Sequence, residues 1–249
     1  MILNSSSLKI GRCMETFPPI VRTSMDGVLI VDKPAGPTSH DVVSIVKRTI
    51  GAKKVGHLGT LDPPASGVLP LAIDGATKKA TALAGDEKVY EFELCLGAET
   101  DTDDDAGAVI DEAPIPADAE MLLRGIIPTF EGEIQQRPPR YSAIKVGGQR
   151  AYALARKGIA FELEARPVRI ESMELVRFGL PRVSFRVSCS SGTYVRSLCR
   201  DLARGIGCRG HASGIRRMRS GAYTIDRAVA LDALVKDPEA WRKAFIPLE

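Results

Sequence analysis

The chain has 249 residues, 44% hydrophobic and 26% charged, which suits one large globular domain and excludes disordered and fibrous classes. No apolar run approaches the roughly 20 residues that a membrane span needs, and residues 1–24 lack a signal-peptide core, so a cytoplasmic protein is expected. The net charge of +3 hides a segregation: residues 85–131 hold 14 acidic and 2 basic side chains, whereas residues 132–220 hold 6 acidic and 18 basic. Such a basic block favours a polyanionic partner, nucleic acid first, unless the two blocks neutralise each other across the fold.

In chain order, "GVLIVDKPAGPTS" (Gly27 to Ser39) reads as a short buried strand running into a Pro/Gly turn. Val42, Val43, Ile45, Val46 and Ile50 then follow helical spacing, with Ser39 placed to cap a helix over residues 40–50. The loop "HLGTLDPPASG" must be irregular, because Pro63 and Pro64 lack backbone donors and Pro63 pushes Asp62 out of the helical region. "VYEFELCLG" alternates, with Tyr90, Phe92, Leu94 and Leu96 on one face, and "VSFRVSCS" places Val183, Phe185, Val187 and Cys189 inward. Between these strands lie an acidic loop, a helix near 118–127, and a basic, loop-rich segment at 133–161. Beyond Gly192, Val195, Leu198, Cys199, Leu202, Ala203 and Ile206 mark a helix that Gly205 and Gly207 end. Its Arg196, Arg200 and Arg204 form a basic stripe, which is as readily a solvated face as a binding one. The mixture of strands and helices predicts an α+β fold, with a mixed, mainly antiparallel central sheet flanked by helices.

Five cysteines with no C-x-x-C pair argue against a disulfide framework. Cys199, Cys208 and His211 are weighed as zinc ligands and read instead as buried thiols beside an exposed histidine. "DTDDDAGAVIDE" (Asp101 to Glu112) spaces its acids like a calcium loop, but Ala106 stands where that loop turns on glycine and a strand leads into it, so an acidic turn is the better reading.

What remains is one carboxylate, Asp62, in a rigid loop, with two tyrosines, Tyr90 and Tyr194, and Arg196 beside a basic half. Each alone is ordinary core or surface. Glycoside hydrolysis generally uses two carboxylates. Breaking a nucleoside C–N bond and remaking it as C–C needs neither water nor a net proton donor, so one carboxylate facing the sugar suffices. The base must first leave its stack.

The motifs "GVLIVDKPAGPTS", "VGHLGTLDPPASGVLP" with "GATK", "KVYEFELCLGAETDTDDDAG", "PRYSAIKVGGQRAYALARKG", "CSSGTYVRSLCRDL" and "IRRMRSGAY" occur in order from about Gly27 to Leu248. Together they make the chain resemble the TruB-type tRNA pseudouridine synthases. The resemblance implies the pseudouridine-synthase fold, isomerisation of the T-loop uridine known as position 55, and no cofactor or metal. It implies that Asp62 is the catalytic aspartate, that Tyr90 stacks on the flipped base and moves a proton, and that Arg196 pairs with the carboxylate. His57 would enter the T-loop, and Tyr194, Lys33, Ile215 and Lys145 would complete the substrate contacts. Residues 133–161 would be an RNA-gripping thumb within a catalytic domain spanning 25–249, behind a dispensable arm at 1–24. The resemblance further implies a T-arm substrate, a monomer and no guide RNA, and the C-terminal PUA domain of bacterial relatives is expected to be absent. Leu58 replaces a usual threonine and Pro64 a common leucine. The rival reading is a non-catalytic protein that binds or folds tRNA with the same groove, and a metal-dependent nuclease or glycosidase is a weaker one.

Overall fold

Four consecutive apolar residues in Gly27–Lys33, strand β1, are all buried, because this strand is covered on both faces. Leu29 and Val31 join the larger core cluster, whereas Val28 and Ile30 join a smaller one on the opposite side. The computed structural model describes residues 25–237 and 239–248; the predicted arm at 1–24 lies outside the described residues.

Helix α1 (Ser39–Thr49) follows β1. Its cap is Thr38 rather than Ser39: the Thr38 hydroxyl accepts from the Asp41 N–H while the Asp41 carboxylate accepts from the Thr38 N–H. Next come β2 (Val55–His57), β3 (Ser66–Ile73), the short helix α2 (Ala80–Leu83) and β4 (Lys88–Leu96). A hairpin of β5 (Ala98–Thr100) and β6 (Val109–Glu112) carries the acidic turn, and helix α3 (Ala119–Phe130) runs three residues past the expected end. The basic segment holds β7 (Gly132–Gln136), a small hairpin of β8 (Lys145–Val146) and β9 (Gln149–Arg150), and helix α4 (Ala151–Arg156). Then come β10 (Arg166–Arg177), β11 (Arg182–Cys189), helix α5 (Val195–Gly205) and β12 (Gly210–Ser220). They are followed by β13 (Tyr223–Thr224), β14 (Val229–Ala230), α6 (Leu231–Lys236) and β15 (Phe245–Pro247).

Eleven strands form one sheet in the order β14-β1-β3-β12-β4-β11-β10-β7, with β15, β2 and β13 attached to β1, β3 and β12. Only β1 with β14 and β3 with β12 pair parallel, so the sheet is mixed and mainly antiparallel, and the α+β expectation holds. At the β4–β11 end one face is solvated. Glu91 therefore alternates with buried Tyr90 and Phe92, which is why that strand was legible as a strand. The parallel contact of β12 with β3 is close: a Cβ on Gly67, whose φ is +103°, would lie 2.2 Å from the Arg217 carbonyl oxygen. Only glycine fits there. No helix among the described residues is long and apolar enough to cross a membrane.

Candidate active site

The loop between β2 and β3 has no ladder partners, yet each carbonyl from Gly59 to Pro63 accepts a hydrogen bond. The Arg217 guanidinium donates to Gly59 at 3.2 Å and Thr60 at 3.3 Å. The Ser39 hydroxyl donates to the Leu61 carbonyl and accepts from the Leu61 N–H, both at 2.9 Å. The Ala65 N–H donates to Asp62, and Pro63 receives both the Gly36 N–H and the Lys33 ammonium, the latter at 3.1 Å. Leu58 and Leu61 are buried beneath, Leu58 in the smaller core cluster. The Asp62 backbone is thus held from both sides, which answers how so irregular a loop can present one carboxylate in a fixed place.

That carboxylate faces an open cleft of about 680 Å³, whose wall includes Leu61, Tyr90, Tyr194, Arg196, Ile215 and Arg217. Arg196 Nη2 meets Asp62 Oδ2 at 2.8 Å; the arginine side chain is 4% exposed and the aspartate 37%, so the cation is sealed and the anion open. Arg196 also donates to Thr102 O at 2.8 Å and Tyr141 O at 3.0 Å, which fixes its fork. Its helix starts at Tyr194, where no side chain of α5 caps it. Instead buried Gln136 of β7 accepts from the Tyr194 N–H at 2.8 Å and donates to the Tyr194 carbonyl at 3.1 Å. Tyr90 is buried, and that burial pushes its phenol above the usual range against the pull of Arg217. Tyr194 is raised as well, first by burial and then by the Asp62 charge. Both phenols therefore keep their protons at neutral pH.

Three expected site residues are not in the cleft wall. Lys33 lies behind the Asp62 loop, fully buried, its ammonium donating to Pro34, Pro37 and Pro63 carbonyls; burial pushes its pKa down to about 8. His57 ends β2 with its Nδ1 buried and without a partner, and burial, then the charges of Arg217 and His40, favour its neutral ring. Lys145 is exposed on the β8–β9 hairpin. Ile215 and Tyr194 do line the cleft. Sequence reasoning passed over Ser39 as a loop clamp, Gln136 and, above all, Arg217.

The acidic turn is not a calcium loop. Its carboxylates diverge: Asp103 meets Arg200 at 2.8 Å, Asp105 meets His211 at 2.8 Å, and Asp104 accepts from the Thr102 hydroxyl and the Ala106 N–H. Burial pushes Asp103 up to about 6 even beside Arg200. His211 is buried rather than exposed, bonded to Ala98 O and Asp105, and among the described residues no group of three or more His, Cys, Asp or Glu could hold a metal. In the basic stripe of α5, Arg196 and Arg200 are buried, whereas Arg204 is exposed and pairs with Glu99 at 2.6 Å. Across the sheet, Glu91 and Glu93 meet Arg186, Arg177 and Arg182. Much of the charge segregation is therefore neutralised within the fold. Among the described residues, Arg137, Arg140, Lys145, Arg150, Arg156, Lys157 and Arg166 make no ion pair. All lie between β7 and the start of β10.

A family model described as TruB family pseudouridylate synthase (N terminal domain) matches residues 47–195, and one described as tRNA pseudouridylate synthase B C-terminal domain matches residues 196–249. The tRNA pseudouridine synthase B of Clostridium kluyveri is 44% identical over 225 residues, 90% of this chain and 77% of that protein. The protein of the same name from Syntrophus aciditrophicus is 45% identical over 226 residues, 90% of this chain and 72% of that one. Among solved structures, a Cbf5-Nop10-Gar1 complex contains a chain that aligns with a TM-score of 0.68 at 32% identity, covering 94% of this chain and 65% of that one. A chain of an H/ACA RNP bound to a substrate RNA containing 2′-deoxyuridine aligns with a TM-score of 0.67 at 30% identity, over 90% and 60% respectively. The chain spans less than two thirds of these two solved relatives.

Proposed function

This chain belongs to the TruB family of pseudouridylate synthases, and from that premise we propose that it isomerises the T-loop uridine at position 55 of tRNA to pseudouridine. The observation that carries the reading is the 2.8 Å pair of Asp62 with sealed Arg196 at the wall of a cleft that Tyr90 and Tyr194 share. The uridine flips out of its stack into this cleft, at a cost of a few kcal/mol. Neutral His57, placed at the head of the Asp62 loop, fills the vacated space. Asp62 then attacks C1′ or takes the 2′ proton, and the C1′–N1 bond breaks. The detached uracil turns against Tyr90 and bonds to C1′ through C5, which displaces Asp62 from C1′ on the first route and is accompanied by return of the 2′ proton from Asp62 on the second. C5 loses its proton to solvent and N1 gains one, so product and substrate are isomers. Tyr90, protonated and buried, is the group that passes a proton at the end. Ile215 packs against the base, Tyr194 borders it, and Lys33 holds the loop from behind.

Substrate recognition rests on the unpaired bases between β7 and β10, on Lys145 among them, which act as the thumb on the phosphates of the T-arm. Residues 25–249 work as one catalytic domain, monomeric, cytoplasmic and without a guide RNA. A second reading, RNA binding or folding without catalysis, draws on the same unpaired bases and has no use for Asp62.

The test is tritium release from a T-stem-loop RNA labelled at uridine C5, comparing wild type with Asp62→Asn, with and without chelator. Release by wild type alone, indifferent to chelator, supports the proposal. Tight RNA binding without release by wild type sinks it in favour of the second reading, and loss of release with chelator would point to a metal-dependent reaction.

A further inference from the structure

Arg217 is the largest fully buried side chain among the described residues, 1% exposed, and it lies in the middle of the sheet. In register it stands opposite Gly67 of β3 on one side and Tyr90 of β4 on the other. A buried guanidinium is ordinarily matched by a carboxylate. Here no acidic side chain pairs with it among the described residues. Its Nε donates to Val68 O at 2.8 Å, and its two terminal nitrogens reach Thr60 O and Gly59 O, two and three residues before Asp62 in the loop. Arg217 and Tyr90 are direct cross-strand neighbours, and both side chains line the cleft. One rigid, planar fork thus holds the loop that carries Asp62 while lying directly beside Tyr90 of β4.

Resting on the isomerase reading above, we propose that Arg217 is the positioning residue of this centre, fixing the Asp62 loop and the Tyr90 hydroxyl relative to each other. The fork geometry is what matters. A lysine would keep the charge but offers a point donor on a flexible stem, and cannot span Gly59, Thr60 and Val68 together while packing beside Tyr90. Gly67 fits the same picture, because its missing side chain lets the Arg217 backbone lie flat against β3, beneath the loop.

The experiment compares Arg217→Lys with wild type and with the Tyr90→Phe and double variants, under single-turnover conditions on T-stem-loop RNA. The expected result is a folded Arg217→Lys with unchanged RNA affinity and a rate lower by about 100-fold, as a displacement on the order of 1 Å produces. Its loss and that of Tyr90→Phe should be strongly non-additive, because both cut the same link. Losses that simply multiply, or an unaffected Arg217→Lys, overturn the inference while leaving an active wild type and the isomerase reading in place. A second readout is independent of activity. The ring ¹³C signal of Tyr90, assigned with Tyr90→Phe, should move in Arg217→Lys without RNA, and an unmoved signal overturns the inference even if no isomerisation occurs. In Arg217→Ala, added guanidinium should restore rate and Tyr90 signal where methylammonium does not. If neither variant folds, Arg217 serves the fold alone and the proposal fails.

Discussion

Replacing Ser39 by alanine tests how the Asp62 loop is held. The hydroxyl is buried and serves the Leu61 backbone twice, donating to its carbonyl and accepting from its N–H, each at 2.9 Å. Ser39→Ala orphans both groups in a site that is 3% exposed. An unsatisfied buried donor or acceptor costs about 1–3 kcal/mol, and alanine's better helix propensity returns roughly 0.5 kcal/mol. With two groups orphaned, the net loss should be about 1.5–5.5 kcal/mol in urea denaturation, with the m-value unchanged. Because Leu61 immediately precedes Asp62, the single-turnover rate should fall as well. Thr38→Ala is the matched control: it removes the true cap, should cost about 1 kcal/mol, and should leave the rate alone. A Ser39→Ala protein as stable and as fast as wild type would refute the view that this hydroxyl sets the loop.

Lys33 gives a pH signature of unusual sign. Its pKa is pushed down by burial from 10.5 to about 8, so between these values the folded chain releases the proton before the unfolded one. Stability from this group therefore rises with pH across that window, while the hold of the ammonium on Pro63 weakens. The rate should fall above about pH 8 with no loss of thermal stability, and Lys33→Met should remove that limb; an unchanged profile in the variant would exclude Lys33 as its origin. Gly67→Ala should destabilise by about 2–5 kcal/mol, from a positive φ and backbone overlap with β12. A urea midpoint equal to wild type would show that β3 and β12 are not so tightly apposed.

Local patterns carried the parts of this fold whose environment is one-sided. Tyr90 was readable as inward because β4 is solvated on one face, and α5 because its apolar spacing ends cleanly at Gly205 and Gly207. Asp62 stood out because Pro63 forbids regular structure around it. Arg217 was hidden for the opposite reason. "IRRMRS" reads as an exposed basic cluster, and only its position between β3 and β4, some 150 residues upstream in the case of β3, buries it. The acidic turn was legible as a turn, but its partners Arg196, Arg200 and His211 were not, since they lie about 100 residues away. Thr38 was distinguishable from Ser39 by a local cue, the aspartate three positions on that completes a capping box.

The placement of β12 also sets when in the life of the chain this protein can come into being. It is inserted between β3 and β4, so until it joins, the sheet is two separate pieces, each with a raw inner edge. On the ribosome, residues up to α5 can emerge with every cleft residue except Ile215 and Arg217, yet have no floor on which to assemble them. A nascent or truncated chain ending near residue 205 would expose the edges of β3 and β4 together, a template for pairing with neighbours. The late strand thus gates birth of the cleft, keeping an incomplete chain from holding a formed centre before its translation has reached the last third of β12.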